Sequence, residues 1–391
     1  MKLDLECGGR MNKEIHVLEV NINDIGQGGA WAFIKNAINA KSDKDIIFDF
    51  FTLEPFENES NIEFIEENKG TIFVRYTVNR YIRQIKTYFD LKKVVKENKF
   101  DIVHIHSDLA FKMFIEGLAA KRAGAKNIIF HSHCTGVDGD HRKIKEIAHK
   151  ICRLFLGEIG TDFFACSKLA GKWMYVNSLQ DKVVVINNAV DCQKFKFSKN
   201  IRDEYRKKLM LNEDEILIGH VGRFMYQKNH QFIIKIFKQY NIINSNSKLL
   251  LVGEGEFEDE IKNIVNNMNL ESKVIFLGVT DCVNNYMQAM DLFLLPSLFE
   301  GLPVVGIEAQ AAGLPCLLSD SITKETNLFG LVEFMSLNEN EKKWAEKIQK
   351  ILSDYVRKDT YNDMVNCGYD ISQNKESLKN IYYKTCMESS L

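Results

Sequence analysis

Prolines, excess charge and long apolar runs are all scarce in this sequence. Its 391 residues include four prolines, 51 basic and 53 acidic side chains, and the net charge is −2. So small a net charge does not favour binding to nucleic acid. No stretch of about 18 uninterrupted apolar residues occurs, so the sequence predicts no transmembrane helix.

The nine cysteines form no CxxC pair. Their odd number and scattered positions favour reduced thiols over a disulfide framework or a zinc site. The first ten residues are mixed in charge and lack the apolar core of a signal peptide, so we expect residues 1–10 to form a flexible leader. These features predict a soluble, cytoplasmic protein.

The composition is that of a folded protein, with 45% hydrophobic and 11% aromatic residues. At about 100–200 residues per domain, the length predicts two or three domains. Short apolar runs such as Ile15–Val20 and Ile102–His106 alternate with segments of helical spacing such as Ala110–Ala123. This alternation predicts parallel sheets that are covered by helices on both faces.

The alternation begins again at Ile216–Gly222, after a charged segment without clear periodicity, Asp191–Asn212, which we interpret as a linker. The sequence therefore predicts an α/β protein of two doubly wound, Rossmann-like domains that face a cleft. The predicted boundaries are 11–195 for the first domain and 196–375 for the second. Residues 376–391 have the pattern of a helix, which could pack back on the first domain.

Three of the prolines lie in one segment, LLPSLFEGLPVVGIEAQAAGLP, at residues 294–315. A buried strand is predicted to end at Pro296, and Pro303 suits the first position of the next helix. Glu300 would then lie near a helix N-terminus, and Glu308 follows at most about 12 Å further along the axis. The two carboxylates could hold two parts of one extended ligand. They could also be ordinary helix-start and solvated side chains, but the small apolar neighbours of Glu308 favour a ligand.

A second segment, GHVGRFMYQKN at residues 219–229, contains two cations after a predicted strand. At the carboxyl end of a strand, Arg223 and Lys228 suit a diphosphate, although solvated loop cations would have the same spacing. A glycine cluster, Gly26–Gly29, follows the first predicted strand and opens the first helix, which is a weak phosphate-loop pattern.

Together, these segments resemble the retaining nucleotide-sugar glycosyltransferases of family 4, which have the two-domain GT-B fold. Glu300 and Glu308 match the E-x7-E pattern of the family within FEGLPVVGIEAQAAGLP, and GRFMYQKN supplies its Arg and Lys. LLLVGEGE and VIFLG occupy the expected positions between them. The resemblance covers nearly the whole chain from about Met11 and is strongest over residues 216–320. Bacterial capsular and exopolysaccharide transferases carry very similar strings.

The resemblance implies a hexosyltransferase that uses a nucleotide-sugar donor, with UDP favoured as the nucleotide. Arg223 and Lys228 would bind the donor diphosphate and stabilise the leaving group. Glu308 would accept hydrogen bonds from the ribose hydroxyls, and Glu300 would hold hydroxyls of the donor sugar. The donor site would also include the backbone at Gly301 and Leu302, the loop at Val279, and the glycines Gly28 and Gly29. No divalent metal or other cofactor is implied, because Arg and Lys supply the positive charge.

The family also places a histidine near the 6-hydroxyl of the sugar and the reaction centre. The segment FHSHC at residues 130–134 offers His133 and, in an alternative register, His131. Histidines at i and i+2 on a strand share a face, which would also permit a metal site. The resemblance favours His133 as the catalytic histidine and a same-face substitution that retains configuration, in which the leaving phosphate oxygen helps to take the acceptor proton.

Two segments, residues 75–99 and 142–153, are rich in basic side chains interleaved with apolar and aromatic ones. Such helices could rest on an anionic inner leaflet and meet a polyprenyl-diphosphate-linked acceptor, or be solvated helices with ordinary core faces. We expect a lipid-linked or saccharide acceptor in surface polysaccharide synthesis, and a position at the inner face of the plasma membrane. The basic residues of the first segment are Arg75, Arg80, Arg83, Lys86, Lys92, Lys93, Lys96 and Lys99.

Two other functions are compatible with parts of the pattern. An NAD-dependent oxidoreductase would also use doubly wound domains, but no predicted strand is followed by GxGxxG with an acidic residue about twenty positions later. A non-catalytic nucleotide-sugar-binding subunit of a transferase complex would carry the same motifs. Turnover by the isolated protein distinguishes such a subunit from an enzyme.

Overall fold

The computed structural model describes residues 14–24, 29–39, 46–75 and 82–388. Within these ranges the chain forms two parallel sheets, one of seven strands and one of six. The strands of the first sheet are β1 (Ile15–Val20), β2 (Ile46–Thr52), β3 (Ile72–Val74), β4 (Ile102–Ser107), β5 (Asn127–Ser132), β6 (Asp162–Ala165) and β7 (Val183–Val185). The helices of this half are α1 (Gly29–Ile38), α2 (Glu59–Glu67), α3 (Arg83–Asn98), α4 (Ala110–Ala123), α5 (Arg142–Cys152) and α6 (Lys168–Met174).

The second sheet repeats this plan in the second half of the chain. Its strands are β8 (Ile216–Val221), β9 (Ser247–Val252), β10 (Val274–Gly278), β11 (Leu292–Leu295), β12 (Cys316–Ser319) and β13 (Val332–Met335). The helices that precede and surround this sheet are α7 (Cys192–Phe195), α8 (Lys199–Lys208), α9 (His230–Ile243), α10 (Glu258–Asn267), α11 (Val283–Ala289), α12 (Val304–Ala311), α13 (Glu341–Asp354) and α14 (Tyr361–Asn366). The final helix, α15, spans Ile371–Glu388.

Both sheets are doubly wound in the same sense. Their strand orders are β3-β2-β1-β4-β5-β6-β7 and β10-β9-β8-β11-β12-β13, so the order reverses between β1 and β4 in one sheet and between β8 and β11 in the other. Strands β4, β5 and β11 are buried along their whole length, because helices cover both faces of a sheet of this kind. The prediction of two Rossmann-like domains is therefore confirmed.

The segment Asp191–Asn212, interpreted from the sequence as a linker without clear periodicity, contains two helices, α7 and α8. Its charged side chains hold the second half together. Arg202 donates to the backbone carbonyls of the last residues of α11 and, at 2.6 Å, to Asp291. The buried Arg206 donates to the carbonyl of Glu215 at 2.6 Å and to Asp291 at 3.2 Å. Cations at a helix C-terminus satisfy carbonyls that have no partner in the helix.

The last helix of the chain returns to the first sheet. A backbone bridge joins Val190 to Asp370 just before α15. Leu378, Tyr382 and Cys386 of this helix are then buried in the cluster that includes the apolar residues from one face of β1 and β2. The first half is thus completed by a segment from the end of the sequence. No helix within the described ranges is long and apolar enough to cross a membrane.

Replacing Arg206 tests the role of charge in α8. Arg206→Ala removes a buried guanidinium and leaves backbone carbonyls without donors, so we expect a loss of about 2–4 kcal/mol in the free energy of unfolding. The matched control is Lys207→Ala, because Lys207 is exposed on the same helix. Urea denaturation followed by circular dichroism measures both. Equal stability of the two variants would contradict this account.

Candidate active site

The loop after β8 brings two cations to the switch point of the second sheet. At Gly222, a Cβ atom would lie 3.2 Å from two stem carbons of Lys228, so the lysine stem packs across the glycine. Lys228 is half-buried at the end of the short turn Tyr226–Lys228. Arg223 is exposed, and its guanidinium group has no hydrogen bond or ion pair to the part of the chain that the structure describes.

The loop after β11 places a buried carboxylate against that lysine. The Nζ atom of Lys228 lies 2.7 Å from Oε1 of Glu300, and Nε2 of Gln227 donates to Oε2 at 3.0 Å. The exposed fraction of Glu300 is only 6%. Both oxygens of the carboxylate therefore have donors from the β8 loop, and the pair of loops at the switch point is fixed as one unit.

Residues of the first half hold the same loop from the other side of the cleft. Thr135 Oγ1 donates to the carbonyl of Glu300 at 2.8 Å, and Ser167 Oγ donates to the carbonyl of Gly301 at 2.7 Å. A Cβ atom on Gly301 would overlap the carbonyl oxygen of His133. The two halves are therefore in contact at the backbone of residues 300 and 301, where only glycine fits at position 301.

Glu308 lies on α12 and is half-buried. Burial raises the pKa of its carboxyl group to about 7, and the nearby charge of Lys194 opposes this rise. Near neutral pH the group is therefore divided between its acid and carboxylate forms. A carboxylate in this position gains from any ligand that donates hydrogen bonds to it.

The other residues predicted for a donor site lie in several places. Leu302 is buried directly after Gly301, whereas Val279 is half exposed after the last residue of β10. Gly29 is the first residue of α1. Gly28 lies outside the described residues.

The structure distinguishes the two candidate histidines by their surroundings. His131 ends up wholly buried inside the first sheet, where its ring contacts Phe33 and Phe164. His133 is half-buried beyond the end of β5, and its backbone contacts Gly301. His133 therefore borders the cleft between the halves, and His131 does not.

Sequence reasoning missed the polar residues that surround His133. His106 at the end of β4 makes a 2.8 Å hydrogen bond to His133, and Glu19 on β1 makes one of 2.7 Å to His106. The available signal was the second His-x-His pattern, His104-Ile-His106, at the carboxyl end of a predicted strand. Gln227 was also missed, although it lies inside the QKN string.

Three of these histidines lie close enough together to be a candidate metal site, but His106 has no free ring nitrogen. Ring nitrogens of His104, His106 and His131 all lie within 4.8 Å of one another. However, both nitrogens of His106 are hydrogen-bonded within the protein, and the rings of His104 and His131 are stacked with an interplanar angle of 3°. Because a nitrogen lone pair lies in its ring plane, stacked rings do not direct their lone pairs at one ion.

Comparison with known proteins agrees with this arrangement. Residues 28–194 match the family model described as Glycosyltransferase Family 4, and residues 201–370 match the one described as Glycosyl transferases group 1. The Bacillus subtilis (strain 168) protein EpsF, named as a glycosyltransferase, is 31% identical over 94% of this chain and 95% of its own length. A UDP-Gal:alpha-D-GlcNAc-diphosphoundecaprenol alpha-1,3-galactosyltransferase of Escherichia coli is 31% identical over 77% of this chain and 80% of its own.

The fold is shared with a solved structure of low sequence identity. The crystal structure of Anabaena HepE in complex with UDP and glucose has a TM-score of 0.74 and 14% identity, covering 94% of this chain and 99% of that one. Two doubly wound domains that meet at the carboxyl ends of their strands have the arrangement of the GT-B fold. With the two relatives at 31% identity, the chain belongs to glycosyltransferase family 4.

The contact between the halves can be tested at Gly301. In Gly301→Ala the new methyl group overlaps the backbone of His133, so we expect the halves to separate locally. Hydrogen–deuterium exchange should become faster in peptides that contain residues 133–136 and 299–301. The control is Gly306→Ala in α12, where the nearest atom to a new Cβ is a methyl group of Thr326 at 3.3 Å. Unchanged exchange rates in Gly301→Ala would contradict the contact between Gly301 and the backbone of His133.

Proposed function

We propose that the protein transfers a sugar from a UDP-sugar to a lipid-linked or saccharide acceptor in bacterial surface polysaccharide synthesis, with retention of configuration. The observation that carries this proposal is the contact of Lys228 with Glu300 at the switch point, beside the backbone of His133. Ligands of doubly wound sheets bind at that edge. The E. coli relative is named for a UDP-Gal donor and a diphosphoundecaprenol acceptor, which supports these classes of donor and acceptor.

The diphosphate of the donor would bind to the loop after β8. Arg223 is exposed, and its planar fork of donors suits two phosphate oxygens. Lys228 uses one ammonium hydrogen for Glu300 and has two more for an anion. The backbone N–H groups of Gly301 and Leu302 precede α12, whose N-terminus favours negative charge. These groups would stabilise the charge that develops on the departing nucleoside diphosphate without a divalent metal.

The two glutamates would hold the two ends of the donor. Glu308 would accept hydrogen bonds from the ribose hydroxyls, for which the carboxylate form is required. Glu300 would accept hydrogen bonds from hydroxyls of the sugar. Because its carboxylate is already fixed by Lys228 and Gln227, Glu300 is better suited to position the sugar than to take a proton. This supports a same-face substitution in which the leaving phosphate oxygen receives the acceptor proton and His133 contacts the sugar.

Substitutions of the two glutamates separate binding from turnover. We expect Glu300→Gln to lower kcat for UDP release by roughly 100-fold with little change in the donor KM. Glu308→Ala should raise the donor KM by roughly 10-fold or more, because hydrogen bonds to a charged group are lost. UDP release from UDP-galactose, UDP-glucose and UDP-N-acetylglucosamine, measured at pH 8 where Glu308 is ionised, provides both constants.

Two results would contradict the proposal. Wild-type kinetics in both variants would show that the glutamates do not touch the donor. Tight UDP binding by the wild type without any turnover, with or without acceptor lipid, would favour the non-catalytic subunit instead.

The acceptor end of the proposal includes contact with the membrane. α3 and α5 both pack against α4, so they lie on one side of the first half. Large apolar side chains on this side are exposed between basic ones, including Phe89 at 62% and Ile144 at 67% exposure. The further exposed apolar residues are Ile82, Ile85, Ile147, Ile151, Leu154 and Phe155. Such a surface suits an anionic inner leaflet, where a lipid-linked acceptor would be found.

Charge reversal tests this surface. The triple variant Lys92→Glu, Lys93→Glu, Lys96→Glu on α3 should lose most binding to vesicles that contain anionic lipid, because each basic residue near the surface contributes about 1 kcal/mol. The control reverses three exposed lysines of α13, Lys342, Lys343 and Lys350, and should bind like the wild type. Co-sedimentation measures the bound fraction. Unchanged binding of the α3 variant would rule out this surface.

A further inference from the structure

A continuous hydrogen-bonded network lies behind His133, at the carboxyl end of the first sheet. In the parallel register, Glu19 of β1 lies beside His104 of β4, and His106 of β4 lies beside His131 of β5. Side chains two residues apart on a strand share a face, so these groups and His133 lie on the same side of the sheet. The network therefore runs from the middle of the first sheet to the cleft.

The network begins at a carboxylate with no access to solvent. Glu19 accepts hydrogen bonds from His106 Nε2 at 2.7 Å and from the Tyr382 hydroxyl at 2.8 Å, and His104 Nδ1 lies 3.2 Å away. Burial alone would raise the pKa of Glu19, but attraction to His104 and His106 when these rings are protonated, together with their hydrogen bonds, outweighs it and lowers the pKa to about 2. Glu19 is therefore an anion at neutral pH.

An anionic Glu19 determines where the next protons lie. A carboxylate only accepts hydrogen bonds, so His106 must donate from Nε2. Burial, with the charge of His104, lowers the pKa of His106 to about 4, so its ring is neutral at pH 7 and holds one proton. Nδ1 of His106 is then an acceptor, and its partner at 2.8 Å is Nε2 of His133.

His133 is also a neutral imidazole at pH 7. Burial, and repulsion from His106 whenever both rings are protonated, hold the pKa of His133 well below its usual range. Its single proton lies on Nε2, since Nδ1 of His106 can only accept. Nδ1 of His133 is left with a free lone pair, which can accept a hydrogen bond from a hydroxyl group of a ligand.

We propose that Glu19, acting through His106, fixes the proton of His133 on Nε2 and so sets the tautomer that His133 presents to the donor sugar, and that Tyr382 holds Glu19 in position. This inference rests on the proposed function for the role of His133. The positions of the protons are independent of the proposed function. Glu19, His106 and Tyr382 are positioning residues, because each acts through another side chain. A buried carboxylate that fixes an imidazole tautomer has the same effect in serine proteases.

Tyr382 links this network to the end of the chain. Its hydroxyl donates to Glu19 and lies 2.6 Å from Nδ1 of His104, so it donates one hydrogen bond and accepts another. The ring also contacts Phe48 of β2, which keeps α15 on the first sheet. The position of α15 and the orientation of His133 therefore depend on the same buried carboxylate.

The test combines a tautomer measurement with kinetics. In protein with ¹⁵N-labelled histidine, the His133 signals are assigned by their loss in His133→Asn. We expect wild-type His133 to carry its proton on Nε2, with Nδ1 unprotonated. Glu19→Gln introduces an amide that can donate to His106, so the proton of His133 should move to Nδ1 in part of the molecules. The kcat for UDP release should fall about 10-fold or more, while the donor KM changes by less than about 2-fold.

The matched control is Glu116→Gln. Glu116 is also buried beside the first sheet and is hydrogen-bonded to Asn21 at 2.8 Å, and Asn21 in turn binds the backbone of His106. It makes no hydrogen bond to an imidazole within the described residues, so its variant should keep the wild-type tautomer and kcat. Tyr382→Phe keeps the ring and loses the hydroxyl that holds Glu19. It should change the tautomer of His133 and the kcat in the same direction as Glu19→Gln. It serves as the second variant if Glu19→Gln does not fold.

Two results would overturn the proposal. One is a wild-type His133 with its proton on Nδ1. The other is a network variant, Glu19→Gln or Tyr382→Phe, that has the tautomer and kcat of Glu116→Gln. If no UDP-sugar is turned over by the wild type, the proposed function fails, whereas the tautomer measurements still decide whether Glu19 fixes the proton of His133.

Discussion

The structure depends on one short segment, residues 299–301, that both halves hold at once. The carboxylate of Glu300 is bound by Lys228 and Gln227 of its own half, while the carbonyls of Glu300 and Gly301 accept hydrogen bonds from Thr135 and Ser167 of the other. The candidate site is therefore not a property of either domain. It exists where the carboxyl ends of two sheets come together, and it requires a residue without a side chain at position 301.

The polar groups of the molecule are concentrated at those two sheet edges for a physical reason. Parallel strands covered on both faces are mainly apolar, as β11 is, so charge is tolerated only where a strand ends or where polar atoms find partners inside the sheet, as those of Glu19 do. In the second sheet this edge carries Lys228 and Glu300. In the first sheet it carries the network from Glu19 to His133, which is held in place by Tyr382 from α15.

The sequence was informative where structure follows from local pattern. Strand β1 has the predicted limits, Ile15–Val20, and the family motifs marked Lys228 and Glu300. The sequence was uninformative where charged side chains have a structural role. The cations of α8 donate hydrogen bonds to carbonyls of α11, whereas the charged composition of the α8 segment alone suggests a linker. The network behind His133 joins residues as distant as Glu19 and Tyr382, 363 positions apart, and no periodicity reveals such a contact.

Central to the proposed function is the binding of uridine diphosphate in the cleft by groups of the protein, without a divalent metal. The most direct measurement is isothermal titration calorimetry of the wild-type protein with UDP, GDP and NAD⁺, each in the presence of EDTA. We expect saturable UDP binding without metal, tighter than that of GDP, and no binding of NAD⁺. Binding of NAD⁺ alone, or UDP binding that appears only after a divalent metal is restored, would contradict it.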